Sequence, residues 1–75
     1  MDHYLVRATI IPVIISYIVT KCNMTESEAL DSFYNSITAA DLANDETLLY
    51  GESPLYIFGL YLEEKEMLKV LWKLL

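Results

Sequence analysis

The sequence holds one cysteine, one histidine, two glycines, two prolines and five basic residues among its 75. Each shortage removes a class of function. A lone Cys22 cannot close an intramolecular disulfide, so a stapled mini-protein is excluded and a reducing, cytoplasmic setting is expected. The paired histidine and carboxylate spacing of helical di-metal sites is missing, because the single histidine is His3, in a terminus expected to fray. Gly51 and Gly59 lie in no phosphate-cradling pattern. Serine, threonine and tyrosine are plentiful, but a nucleophile needs an activating base, and His3 is the one ordinary candidate. No catalytic, cofactor-binding or metal-binding residue is therefore assigned, and no enzyme is expected. Five cations against eleven carboxylates leave a net charge of −6. A phosphate backbone requires a basic face, so nucleic acid is not an expected partner.

What the chain does have is apolar mass: 55% of its residues are hydrophobic. That excludes intrinsic disorder. A domain of this size buries only about 60% of the surface its unfolded chain exposes. Some of the apolar residues must then face solvent or a partner, and small domains often depend on such help. Residues 10–19, Ile-Ile-Pro-Val-Ile-Ile-Ser-Tyr-Ile-Val, are the most apolar run. The run is shorter than the roughly 20 residues a bilayer requires, and Arg7 and Lys21 bracket it, so a core helix is expected and a membrane role is not.

Helix punctuation divides the chain. Pro12 disfavours the helical region at Ile11 and suits a first turn, which predicts a helix from about Pro12 to Lys21, with residues 3–10 as a separate turn or kinked extension. Val13, Ile14, Ile15, Tyr17, Ile18 and Val19 leave that helix no polar face, so it should be central. Thr25-Glu26-Ser27-Glu28 reads as a capping box opening a second helix over about residues 26–36, with Ala29, Leu30, Phe33 and Ile37 on one face. Thr38 should begin a further turn, placing Asp41 near a helix N-terminus. Asn44 or Asp45 should cap a short turn through Tyr50, stopped by Gly51. Ser53-Pro54 opens a last helix that runs toward the C-terminus, weakened mildly at Gly59. No segment alternates with a period of two. The expectation is one all-α domain over residues 1–75, a compact bundle of four or five short helices with a longer amphipathic C-terminal helix.

Along that last helix Ile57, Leu60, Met67, Leu68, Leu71, Leu74 and Leu75 share one side, interrupted by Glu64. Lys65, Lys69 and Lys73 form a ridge on another. Leu55, Phe58 and Leu62 make a second apolar stripe, so the first half should be buried on two sides and the tail on one. The tail residues Met67, Leu68, Leu71, Leu74 and Leu75 are the expected interaction face, most simply with a symmetry mate in a homodimer.

Charge is segregated. Between Cys22 and Glu64 nine carboxylates occur without a single Lys or Arg. Several suit helix N-termini, and together they give an acidic field fitted to a basic protein partner. Asp45, Glu46, Tyr50, Glu52 and Tyr56 form a candidate acidic or aromatic surface.

Phe33-Tyr34-Asn35-Ser36, Leu42, Asp45-Glu46-Thr47-Leu48-Leu49, Ser53-Pro54-Leu55-Tyr56-Ile57 and Glu63-Glu64 carry a resemblance. Over residues 33–64 the chain is similar to a bacterial family of short proteins of unknown function, some encoded beside predicted ADP-ribosyltransferase-like toxins. The resemblance implies an accessory or antitoxin-like binding protein of a bacterial operon. Two functions follow. The first is a non-enzymatic protein–protein interaction module; the alternative is a small ligand-binding protein or enzyme with a Tyr-lined pocket and a carboxylate base.

Overall fold

The protein is described here from a computed structural model covering residues 4–74. Its order is α1 (Tyr4–Cys22), α2 (Glu26–Tyr34), α3 (Ile37–Ala43), two 3₁₀ turns (Asp45–Thr47 and Leu49–Gly51) and α4 (Pro54–Leu74). Among the described residues there is no strand, so the fold is all-α. His3 and Leu75 lie outside the described residues.

The first helix differs from expectation. It runs unbroken from Tyr4 to Cys22, with Pro12 inside it rather than at its start. Pro12 has no N–H, so the carbonyl of Ala8 loses its usual helical donor. Packing on both sides of the proline offsets that loss. Ile10 and Ile11 pack against the core before and beside it, and Ile14, Ile15 and Ile18 are buried after it. The extension also lengthens the apolar span: Leu5–Cys22 is long and apolar enough to cross a membrane by length and composition alone. Its inner side is nevertheless committed to the core of this fold. Nor is the helix enclosed all round, as its composition suggested, because Leu5, Val6 and Val13 are exposed. A chain this small has too few other elements to cover every face of a central helix.

Thr25 caps α2 as expected. Its hydroxyl accepts from the amide of Glu28 at 3.1 Å, and the Glu28 carboxylate accepts from the amide of Thr25 at 2.9 Å. The helix stops at Tyr34, two residues short of expectation, because Asn35 takes the C-cap and Ser36 already caps the next helix. Ser36, and not Thr38, is that N-cap: its side chain accepts from the amide of Ala39 at 3.0 Å. Ala29 and Phe33 are buried on the predicted face, whereas Leu30 and Ile37 are exposed. Asp41 lies beyond the first turn of α3, which contains no acidic residue of its own.

Asn44 caps the first 3₁₀ turn, its side chain accepting from the amide of Glu46 at 3.0 Å. The left-handed residue of this connection is Leu48, at φ 59°, and not Gly51. Thr47 secures the connection by donating its hydroxyl to the carbonyls of Asp41 and Asn44. Ser53 then caps α4, accepting from the amide of Tyr56 at 3.1 Å.

The core unites Ile14, Ile15 and Ile18 of α1, Ala29 and Phe33 of α2, Leu42 of α3, and Ile57, Phe58 and Tyr61 of α4. Phe58 and Tyr61 stack at 6.5 Å between centroids, and Phe33 meets Tyr61 at 6.2 Å. The first half of α4 is buried on one side and not on two, since Leu55 and Leu62 are exposed. α1 packs mainly on α2 and α4, and α3 mainly on α2 and α4.

Two substitutions of opposite sign test this account. Thr25→Ala removes the capping acceptor and is expected to cost about 1 kcal/mol in chemical denaturation. A Cβ on Gly59 would meet nothing within 4 Å. Gly59→Ala is therefore expected to raise stability by up to about 1 kcal/mol.

Candidate functional site

The polar residues of the 33–64 segment converge on a helix junction. Glu64, which interrupts the apolar side of α4, reaches α3. Its carboxylate accepts from the amides of Ile37 and Thr38, both at 2.9 Å, and from the Thr38 hydroxyl at 2.7 Å. It supplies the negative charge that α3 lacks in its own first turn. Partial burial raises the Glu64 pKa. The hydrogen bonds from Ile37 and Thr38, with neighbouring Lys65, outweigh it and hold the carboxyl below its ordinary value. Glu28 is also lowered, by the amide and hydroxyl of Thr25. Ser36 is buried and donates to the carbonyl of Phe33. These groups are spent on holding helices together.

Among the described side chains, the tyrosines do not line one pocket. Tyr61 is buried, its hydroxyl bonded to that of Ser32, and Lys65 lies 5.3 Å above its ring. Tyr17 packs against Phe58, Tyr50 is half-buried, and Tyr34 and Tyr56 are exposed. Of the candidate acidic or aromatic surface, Asp45, Glu46, Tyr50 and Glu52 follow one another through the connection between α3 and α4, and Tyr56 sits in the first turn and a half of α4. Asp45 is tied to Arg7 of α1 at 2.8 Å. Among the described residues no three His, Cys, Asp or Glu side chains group as a metal set.

Two surfaces remain uncommitted. The first is the tail. Met67, Leu68, Leu71 and Leu74 are all exposed, Leu71 by 50% and Leu74 by 77%, as are Val70 and the lysines Lys69 and Lys73. From Glu66 onward every described side chain of α4 is exposed, although Glu66, Leu68 and Lys69 border a shallow concavity shared with Cys22, Met24 and Ser32. A free-standing helical segment this short is marginal in water. The radius of gyration, 12.7 Å, exceeds the roughly 11 Å of a compact domain of this length, as a projecting helix requires.

The second surface is a groove of about 970 Å³ bounded by α1 on one side and by α3 and the Glu26, Leu30 and Tyr34 face of α2 on the other, with Ile15, Phe33 and Leu42 as its floor. Ala8, Pro12 and Ser16 lie along one wall, and Ala39, Ala40 and Ala43 along the other. Among the described residues, Arg7, Glu26 and Tyr34 are its ionisable lining residues. Nothing in the sequence isolated this groove, because its walls come from residues thirty apart that read separately as helix spacers.

Glu64→Ala is expected to cost about 2 kcal/mol, since three hydrogen bonds to a charged acceptor are lost together. Both lowered carboxyls stabilise the fold above the ordinary glutamate pKa of about 4.3. That stability is lost as pH falls through their still lower folded values. Acid denaturation of the parent below that range should be steeper than that of Glu64→Gln.

No protein-family model, curated protein or solved structure matches this chain.

Proposed function

We propose that this protein is a non-enzymatic protein–protein interaction module that pairs with a second copy through the tail of α4. One observation carries the reading: Met67, Leu68, Val70, Leu71 and Leu74 are all exposed along one helical segment, and none is buried in the core. Burying a leucine of this kind is worth about 1.5–3 kcal/mol. Several together supply enough to offset the cost of association that every complex carries. The amphipathic C-terminal helix is thus the working element of the bundle, and a homodimer is its simplest use.

A basic protein partner also fits the acidic body. The resemblance of residues 33–64 supports an accessory or antitoxin-like role in a bacterial operon, and the half-buried Cys22 suits a reducing cytoplasm. The alternative, a Tyr-lined pocket with a carboxylate base, draws no support from the geometry: the tyrosines are dispersed, and Glu64 is engaged at the α3 N-terminus.

Light scattering at tens of micromolar is expected to give twice the 8.6 kDa chain mass. Removing residues 67–75 should yield a monomer that keeps its helical circular dichroism. A full-length chain already monomeric at that concentration defeats the proposal.

A further inference from the structure

The groove between α1 and α3 has the dimensions and chemistry of a receptor for a helix. We propose that its occupant is the α4 tail of a second copy of this chain, an inference that rests on the reading of that tail as an interface. Three observations select this occupant.

Length comes first. The groove follows α1 from Arg7 to Thr20, about 20 Å at helical rise. The exposed apolar residues of α4 from Leu62 to Leu74 cover about 18 Å. The small side chains on both walls allow a helix to seat deeply, with leucine side chains reaching the Ile15, Phe33 and Leu42 floor. Of the two hydroxyls on the α1 wall, Ser16 already donates to the carbonyl of Val13 at 2.8 Å, and Thr20 sits at the end of the groove, so an apolar face meets little unsatisfied polarity along its length.

Charge comes second. Residues 1–64 carry ten carboxylates against two cations, whereas residues 65–75 carry three lysines against Glu66 alone. A tail laid on another body brings opposite charges together. Two tails laid on each other would bring the ridges of Lys65, Lys69 and Lys73 together instead. Glu26 at the rim of the groove offers the lysine ridge a direct partner.

Topology comes third. Among the described side chains none of α4 lines the groove, and α4 runs as one helix from Pro54 to Leu74. The tail of the same chain cannot turn back into it, so a tail seated there must come from another molecule.

Two blocked variants of the full chain test this. Ala40→Trp with Ala43→Trp fills the groove from exposed positions on α3 and leaves the tail intact. Leu68→Asp with Leu71→Asp spoils the tail and leaves the groove intact. Each alone should be folded by circular dichroism and monomeric by light scattering, its pairing weakened at least about tenfold. Mixed together, the two should recover a one-to-one complex, because one good tail meets one good groove. Ala8→Trp, on the opposite wall, should reproduce the α3 result independently. If both groove-filled proteins pair like the parent while the tail variant does not, the groove inference is overturned and the tail interface survives. If the folded variants stay monomeric on mixing, the groove inference is likewise overturned. A parent chain that is itself monomeric overturns both readings.

Discussion

Glu64 holds the N-terminus of α3 against α4 with three hydrogen bonds, and the far side of the molecule depends on that attachment. α3 is only seven residues long, too short to persist without external support. The carboxylate supplies it twice over, by satisfying amides that a helix N-terminus leaves unpaired and by opposing the positive end of the helix dipole. With α3 fixed in this way, Leu42 enters the core while Ala39, Ala40 and Ala43 face outward as one wall of the groove. The Arg7–Asp45 pair ties the following turn to α1 near one end of the same groove.

A second constraint is size. Among the described residues the buried apolar core comprises nine, whereas fifteen large hydrophobic side chains are exposed. α1 spends one side on that core and leaves Leu5, Val6 and Val13 uncovered. α4 commits the side bearing Ile57, Phe58 and Tyr61 and leaves Met67, Leu68, Val70, Leu71 and Leu74 exposed beyond it. An apolar groove and an apolar tail on the same chain are two consequences of having too little protein to cover either.

Local signals in the sequence translated well. The Thr25–Glu28 box, the Asn44 turn and the Ser53-Pro54 start all depend on residues within a few positions of one another, and each was legible for that reason. Where local rules compete, the sequence alone misplaced the boundary. Pro12 marks a helix start in isolation, yet tertiary packing on both of its sides carries the helix through it. Ser36 and Thr38 are both of capping type; Ser36, the stronger cap former, caps α3, while Thr38 is engaged by Glu64 from another helix.

The sequence by itself determined the helical class, the position of the last three helices to within a few residues, and the segregation of an acidic body from a basic, leucine-rich tail. These follow from spacing and composition, which no folding event can alter. The tertiary structure alone decided that Glu64 serves α3, that the tyrosines disperse, and that α1 and α3 stand apart around an apolar groove. Those features depend on which residues distant in the chain become neighbours. That choice is made by burial summed over the whole core, and no local stretch of residues encodes it.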